Sequence, residues 1–307
     1  EGRAYHPIHD VQTMFTGELV SDLTAYVRGR NPRAVVDGDP ARGLWPDVDV
    51  PVIEGVEAAL SCTCVEGPPQ IERLYLDAIR SAQDYIYIEN QYFTSREIVA
   101  ALAARLREPE GPEIVIVLPK SYRGSFERAV YSRGFARARA ELALADRHGR
   151  LALVYPECGA VDGTFIVVHS KLMIVDGAFM TIGSANLNHR SMRIDSELNL
   201  SLEDARAHDF IRDSLHRLVG EHVGEEPGKI AREMAHGNSL LKVVRTARTG
   251  GRRSLRDIPA SRPSLQDRFL ILSAPFVDPR FSLPKLYVGA LLCFLLSMGF
   301  VFWQEVP

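Results

Sequence analysis

The stretch VHSKLMIVDGAFMTIGSANLNHRSMRIDSELNLSL, from Val168 to Leu202, holds the residues around which the rest of the chain is organised. Phe165 to Val175 is rich in β-branched and aromatic residues, which predicts a strand. Side chains two positions apart leave the same face of a strand. His169 and Lys171 should therefore point in the same direction, with an imidazole beside an ammonium group.

The second half of this stretch predicts two further strands. Asp176-Gly177 is a hairpin signal, after which Phe179 to Ile182 should return as a strand. That strand ends in Gly183-Ser184-Ala185-Asn186, where a residue without a side chain lets the backbone approach a ligand. A third strand is predicted from Glu197 to Leu202. The Glu197 carboxylate at its start should lie within reach of His169.

These residue types suit the cleavage of a phosphodiester without a metal ion. A phosphate needs cations and hydrogen-bond donors around oxygens whose charge is redistributed in the transition state. Lys171 supplies the charge, and Ser184 and Asn186 supply donors. An imidazole such as that of His169 acts as a nucleophile or as a proton donor. The Glu197 carboxylate would fix its tautomer and stabilise its charged form.

The segment HSKLMIVD followed by IGSAN resembles the HxKxxxxD…GSxN signature, or HKD motif, of the phospholipase D superfamily. Glu197 fits the acidic residue that follows the motif in that family. Asp176 completes the motif, although its place at the hairpin favours a structural hydrogen-bonding role over proton transfer. The resemblance implies an α/β layered sandwich with a mixed β-sheet flanked by helices. It also implies that a glycerophospholipid phosphodiester is cleaved or transferred through a phosphohistidine intermediate.

The resemblance also assigns roles to individual residues. In two-motif members, two such motifs face each other across one active site. One histidine attacks phosphorus, and the other protonates the leaving alcohol. The second-motif histidine is generally the acid, so His169 would be the general acid, oriented by Glu197. Lys171 and Asn186 would bind the phosphate, with help from Ser184.

Residues 1–68 are predicted to be an inter-motif segment followed by an irregular linker. His6-Pro7-Ile8-His9-Asp10 resembles the passage that follows the first motif in two-motif phospholipases D. This implies a first catalytic half upstream of Glu1. The residues themselves predict a helix packed on the domain, and they give His6 and His9 no special role. Residues 31–68 are rich in Pro, Gly and Asp and show no sustained period.

Residues 69–225 are the predicted catalytic domain, because strand and helix patterns alternate there as in an α/β layered protein. The segment Glu89-Asn90-Gln91-Tyr92-Phe93 resembles the IENQYF segment of the same family, which lies at a strand end that faces the active site. Asn90 and Gln91 are therefore predicted to bind a phosphate or a headgroup. The alternative is a polar turn between a strand and a helix.

Composition limits the functional classes. Hydrophobic residues make up 46% of the chain and charged residues 24%, as in ordinary globular proteins. The formal net charge of −3 gives no indication of nucleic acid as a partner. The four cysteines form no disulfide framework. The isolated pair Cys62 and Cys64 is too small for a zinc site, which needs about four ligands. We therefore expect no cofactor, no metal and no nucleic acid.

The C-terminal part predicts contact with a membrane. Residues 226–282 should be a linker with a basic run from Arg245 to Arg256, and each such side chain gains about 1 kcal/mol near an anionic lipid surface. Tyr287 to Trp303 is uncharged and has aromatic ends, as in a spanning helix of minimal length. We expect 283–307 to begin a membrane domain with an apolar helix. The basic flank would then place the catalytic domain on the cytoplasmic side of the membrane. The alternative is a buried core helix.

Together these features predict the C-terminal half of a phospholipase D-type enzyme. Its partners would be a phospholipid, a membrane and the missing HKD half, supplied by the same polypeptide or by a second copy. No second HxK occurs outside 169–171. Two alternatives stay open: a single-motif nuclease of the superfamily completed by dimerisation, and a non-catalytic, membrane-tethered fragment.

Overall fold

The structure, a computed structural model, describes residues 7–30, 52–64, 67–121, 125–158, 165–237, 239–246 and 253–258. The strands are β1 (Ile8–His9), β2 (Ala58–Thr63), β3 (Tyr85–Glu89), β4 (Glu113–Val117), β5 (Leu151–Cys158), β6 (Val167–Val168), β7 (Leu172–Val175), β8 (Phe179–Gly183), β9 (Glu197–Leu202) and β10 (Arg253–Asp257). The helices are α1 (Leu19–Arg30), α2 (Gln70–Ser81), α3 (Arg96–Arg107), α4 (Ser125–Ala145), α5 (His189–Arg193), α6 (His208–Val223), α7 (Pro227–Ala235) and α8 (Leu240–Thr246). A short 3-10 turn, Ala205–Ala207, precedes α6.

Within these ranges, one mixed sheet has the strand order β10-β5-β4-β3-β7-β8-β9-β2. β3, β4 and β5 are parallel to one another. β7, β8 and β9 follow as an antiparallel meander, with β7 antiparallel to β3. β2 and β10 close the two edges in antiparallel pairings. The mixed sheet flanked by helices that the sequence predicted is therefore confirmed.

Both faces of this sheet are covered by apolar side chains. Ile114 and Ile116 of β4 pack into one core with α2, α3 and α4. Val115 and Val117 of the same strand pack into a second core, on the opposite face, with α6, α7 and α8. This alternation explains why the central strands are almost continuously hydrophobic. The buried carboxylate of the central strands, that of Glu89, lies at the end of β3.

A second, two-stranded sheet joins the N-terminal segment to the signature stretch. β1 and β6 pair in parallel, with Ile8 opposite Val167 and His9 opposite Val168. The backbone N–H of His169 donates to the carbonyl of His9 at 2.8 Å. The chain around residue 10 is therefore fixed beside the HKD motif, a long-range contact that the sequence did not predict.

Several predicted boundaries are wrong at the level of single elements. The strand predicted over 165–175 is interrupted, because residues 169–171 form a break between β6 and β7. The predicted linker 31–68 contains β2, which is held by its pairing with β9. The predicted linker 226–282 contains α7, α8 and β10. In each case tertiary pairing outweighs a weak local signal.

The start of α3 also differs from the sequence pattern. Thr94 and Glu97 predict a capping box with Thr94 as N-cap. In the structure Ser95 is the N-cap, and its hydroxyl accepts from the backbone N–H of Ile98. Thr94 instead donates its backbone N–H to the carbonyl of Leu187 at 2.8 Å. The loop after β8 therefore sets this helix start.

The predicted apolar segment 283–307 lies outside the described residues, as do residues 247–252 of the basic run. Among the residues that the structure describes, no helix combines the length and the apolar character needed to cross a membrane. Among the described cysteines, Cys62, Cys64 and Cys158, none forms a disulfide.

Asp176 holds the β7–β8 hairpin to the start of β3. Its carboxylate accepts backbone N–H groups from Gln83, Asp84 and Tyr85 at 2.7 to 2.9 Å. Its φ of +53° lies in the left-handed region, which aspartate tolerates better than most residues. Asp176 follows the end of β7, whereas Lys171 precedes the start of that strand. The structure therefore gives Asp176 a structural role and separates it from the other signature residues.

We expect Asp176→Asn to lower the free energy of unfolding by about 1 to 3 kcal/mol, since an amide keeps the backbone conformation but turns one acceptor into a donor that faces N–H groups. Urea denaturation measures the loss. The control is Asp209→Asn, which removes an exposed surface ion pair with Arg212 and should change the stability little. Equal effects of the two variants would contradict the structural role of Asp176.

Candidate active site

The signature residues gather at one edge of the sheet. Leu172 at the start of β7 pairs with Glu89 at the end of β3, and Glu89 pairs with Val117 at the end of β4. The break that carries His169 and Lys171 therefore lies beside the carboxyl ends of the parallel strands. Ligands of open α/β sheets bind at this edge.

Asp10 is the carboxylate that contacts the signature histidine. Its Oδ2 lies 2.9 Å from Nδ1 of His169. The His169 side chain is 48% exposed and that of Asp10 35%, so the pair lies at the surface of the site and is accessible. This contact holds one tautomer and leaves Nε2 as the nitrogen that can transfer a proton. Sequence reasoning missed Asp10, although it belongs to the HPIHD passage, the one available signal.

Glu197 does not take the place that the sequence predicted for it. Its carboxylate accepts a hydrogen bond from the Ser184 hydroxyl, which in turn accepts the backbone N–H of Leu198 at 3.1 Å. The register of β8 against β9, with Gly183 opposite Asn199, sets this neighbourhood. The expectation that Glu197 orients His169 is therefore corrected, because Asp10 occupies that position. Burial raises the pKa of Glu197 above its usual value, while the Ser184 hydrogen bond opposes the shift.

Lys171 places a largely buried cation between the two carboxylates. Its ammonium group donates to the backbone carbonyl of His169, and the residue is 6% exposed. Burial lowers the pKa of Lys171 below its usual value, while the charges of Asp10 and Glu197 oppose this. The site therefore has a partly desolvated positive charge next to the imidazole, the condition in which a cation acts most strongly on a phosphate.

The loop after β8 offers an uncommitted amide. A Cβ atom on Gly183 would overlap the Asn199 amide and the Leu198 carbonyl, so the close approach of β8 to β9 requires glycine there. The side-chain oxygen of Asn186 is buried and has no hydrogen-bond partner among the described residues. Since a buried polar atom is costly without a partner, this oxygen, which is an acceptor, is suited to a ligand that carries a hydrogen-bond donor. The phosphate-binding role of Asn186 stays a prediction.

Asn90 has a structural place. It is fully buried, and its side-chain oxygen accepts the backbone N–H groups of Tyr92 and Leu187, both at 3.1 Å. Its amide nitrogen donates to the carbonyl of Ala185 at 3.5 Å. These bonds tie the turn after β3 to the loop after β8, which corrects the expectation that Asn90 binds phosphate. Gln91 contacts the Tyr92 hydroxyl at 3.4 Å, and its predicted ligand role remains a prediction.

A buried charge network lies directly beneath these residues. The Glu89 carboxylate, fully buried, accepts from four side chains at 2.6 to 2.8 Å: Tyr87, Ser170, His9 and His222. The rings of His9 and His222 lie with their centroids 4.5 Å apart. The hydrogen bonds and charges of the two histidines outweigh the effect of burial, so the pKa of Glu89 lies well below its usual value.

His9 connects this network to the surface. Its Nδ1 lies 3.3 Å from Glu221, which forms an ion pair with Arg253 at 2.8 Å. Burial would lower the pKa of His9, but hydrogen bonds to Glu221 and Glu89 raise it to about 10. The structure therefore corrects the expectation that His9 is an ordinary polar residue.

The same groups have the spacing of a metal site. His9, Glu89 and His222 offer ligand atoms within 4.8 Å of one another. However, His9 has a carboxylate at each ring nitrogen, and an imidazole that donates from both nitrogens is a cation without a lone pair for a metal. The contacts therefore favour a hydrogen-bonded ion network.

The stability of the protein should reflect the His9 proton. Because folding raises the pKa of His9 from 6.5 to about 10, the stabilisation is complete below pH 6.5 and is lost as the pH rises through about 10. Between pH 6.5 and about 10, we expect the free energy of unfolding of the native protein to fall as the pH rises. This slope should be steeper than that of His9→Gln by up to about 1.4 kcal/mol per pH unit.

Guanidinium denaturation at several pH values measures the difference. His148→Gln, which alters an exposed histidine, should follow the native curve. Parallel curves for His9→Gln and the native protein would contradict a charged His9 in the folded state.

Comparison with known proteins agrees with this geometry. A family model described as "Cardiolipin synthase, PLD-like domain" matches residues 75–219, which include the HKD motif and most of the sheet. Residues 75–219 are a phospholipase D-like domain.

Relatives within the superfamily match only part of their own length. Phospholipase D A of Dictyostelium discoideum is 32% identical over 168 residues, which cover 44% of this chain and 13% of that protein. The probable cardiolipin synthase YwiE of Bacillus subtilis is 28% identical over 158 residues, which cover 52% of this chain and 28% of that protein. Nuc, a phospholipase D family member from Salmonella typhimurium, aligns with a TM-score of 0.40 at 21% identity, covering 52% of this chain and 91% of Nuc. At the family level the chain is therefore phospholipase D-like.

Proposed function

We propose that this chain supplies one HKD half-site of an enzyme that cleaves or transfers a phosphodiester of a glycerophospholipid through a phosphohistidine intermediate. The observation that carries the proposal is the convergence of His169, held at Nδ1 by Asp10, with the buried ammonium group of Lys171 at one sheet edge. Two relatives bear the names of a phospholipase D and a probable cardiolipin synthase, which supports a phospholipid as the substrate class.

His169 acts as the general acid in this proposal. The contact between Nδ1 and Asp10 leaves Nε2 free to give its proton to the oxygen of the leaving alcohol. The nucleophilic histidine belongs to a second half, upstream in the same polypeptide or in a second copy, and its attack on phosphorus breaks the bond to that alcohol. Water or an acceptor alcohol then gives its proton back to His169 and releases the phosphoryl group.

Lys171 stabilises the charge that builds on the phosphoryl oxygens. A partly desolvated ammonium group acts more strongly on a neighbouring anion than a hydrated one does. The N–H groups of the Asn186 side-chain amide would donate to the same oxygens. The Ser184 hydroxyl, which donates to Glu197, supports the loop from which Asn186 projects toward the substrate.

The contact of His169 with Asp10 also suggests a role for Glu197. Asp10 lies in the passage that resembles the one after a first motif, yet it orients the histidine of this motif. If each half orients the histidine of the other half in this way, Glu197, which follows this motif and lies near Lys171, would orient the histidine of the other half. Membrane attachment through 283–307 and the basic run remains part of the proposal, and the net charge of −3 favours lipid over nucleic acid as the substrate.

The general-acid role is tested with two leaving groups. In the full-length protein, we expect His169→Ala to lower turnover of a natural phospholipid by about 10²- to 10⁴-fold, the usual contribution of general acid catalysis. A p-nitrophenyl phosphodiester has a leaving group that hardly needs a proton, so its initial burst should decline much less. Stopped-flow release of p-nitrophenolate and chromatographic assay of the lipid headgroup measure both.

Three outcomes separate this proposal from its alternatives. Labelled phosphate attached to His169 itself would assign the nucleophile to this half. If the native protein cleaves plasmid DNA faster than phospholipid vesicles, the result would favour the single-motif nuclease. Unchanged lipid turnover in His169→Ala would show that the HKD stretch is not catalytic.

Lys171→Arg tests the phosphate contact. A guanidinium carries its charge on a longer, forked group than an ammonium does, so it fits poorly in a buried site shaped for Lys171. We expect turnover of phospholipid to fall at least about tenfold, since placement errors near 1 Å cost up to about 10²-fold. Arg206→Lys, on the exposed surface beside Asp204, is the control. Native turnover in Lys171→Arg would separate this lysine from the transferred group.

A further inference from the structure

The N-terminal segment is anchored by one buried side chain. Among the described side chains from residue 7 to residue 29, only His9 is buried, at 6% exposure. Its neighbours Ile8 and Asp10 are exposed. His9 is therefore the buried anchor of the segment next to Asp10, while Phe15 and Leu19, farther along it, pack partly buried against the second core.

The bound position of His9 involves a single oxygen of Glu89. Oε2 of Glu89 lies 2.8 Å from Nε2 of His9 and accepts the Ser170 hydroxyl at 2.6 Å. His9 precedes Asp10 in the chain, and Ser170 follows His169. The immediate neighbours of the two residues in the catalytic pair thus meet at one buried carboxylate oxygen.

Consecutive residues of an extended chain point to opposite sides. His9 and Ser170 consequently point inward to Glu89, while Asp10 and His169 point outward and contact each other at 2.9 Å. The β1–β6 ladder between them has only two residue pairs. A ladder of this length is not stable by itself in water, so the inward contacts must hold it.

We propose that Glu89 is a buried clamp which, through His9 and Ser170, fixes Asp10 against His169, and that His9 is thereby a positioning residue. The kinetic consequence rests on the proposed function, whereas the clamp itself is a statement about geometry. A buried carboxylate with several donors accepts few arrangements, because loss of a donor leaves charge uncompensated. This restriction is what a positioning group requires.

The test compares two amides at position 9 in the full-length protein. His9→Gln places an amide nitrogen where Nε2 of the imidazole lies and can still donate to Glu89. His9→Asn is too short to reach Glu89 and breaks the clamp. Ser170→Ala removes the other arm, and His148→Asn changes an exposed histidine as a control. Circular dichroism and thermal unfolding establish that each variant is folded.

The first readout does not depend on activity. The proton on Nδ1 of His169, hydrogen-bonded to Asp10, gives a downfield NMR resonance that is assigned by its loss in His169→Gln. We expect this resonance to vanish in Asp10→Asn and in His9→Asn, to weaken in Ser170→Ala, and to persist in His9→Gln and His148→Asn.

The second readout is turnover of phospholipid. His9→Asn should lower kcat by about 10- to 100-fold with little change in KM, as expected for misplacement of a catalytic group. His9→Gln should recover most of this loss. Combining His9→Asn with Asp10→Asn should cost no more than the larger single loss, because both changes remove the same contact.

Three results would overturn the clamp: a persistent His169 resonance in folded His9→Asn, losses of kcat that multiply in the double variant, or one equivalent of zinc that binds the native protein and not His9→Asn. If the resonances behave as expected while the native protein cleaves no phosphodiester, the proposed function fails and the clamp stands.

Discussion

The structure depends on one buried negative charge at the end of β3. Glu89 has no exposed surface, and its pKa lies well below its usual value because two imidazoles offset the effect of burial. An ionised carboxylate in such a place is tolerated only when its oxygens are fully hydrogen-bonded. The donors come from β3 itself, from the break before β7, from β1 and from α6. Their convergence fixes how three separate parts of the chain approach the sheet edge.

The site consequently has two charge layers of different character. In the inner layer each oxygen of the buried Glu89 accepts two hydrogen bonds, which restricts the arrangement of its donors. The outer layer contains His169, Asp10 and Lys171, which are close to solvent or to each other's charges. Outer side chains would have several conformations if their backbone were mobile. Because His9 and Ser170 belong to the inner layer, the backbone that carries the outer groups is held in place.

Features with a local origin were predictable from the sequence. The hairpin at Asp176, the alternation of strands and helices from 69 to 225, and the HKD motif all depend on near neighbours in the chain. The errors concern long-range contacts. β2 and β10 form by pairing with β9 and β5, which lie far away in the sequence. Asn90 was predicted to bind a ligand because it is polar. Its side-chain amide instead hydrogen-bonds to the backbone of the turn after β3 and of the loop after β8. Glu197 was expected to orient His169 because the third strand begins with it, and Asp10 was missed because its contact with His169 depends on the pairing of β1 with β6.

This arrangement separates the stability of the domain from the orientation of its histidine. Phe15 and Leu19 are the members of residues 7–29 that pack against the cores, and both are partly buried, so this segment adds little to the apolar cores. His169, however, receives its carboxylate only when the segment is docked. If Asp10 belongs to the passage that follows a first motif, each half of the enzyme would orient the histidine of the other. Neither imidazole would then be held by its carboxylate until both halves are in place.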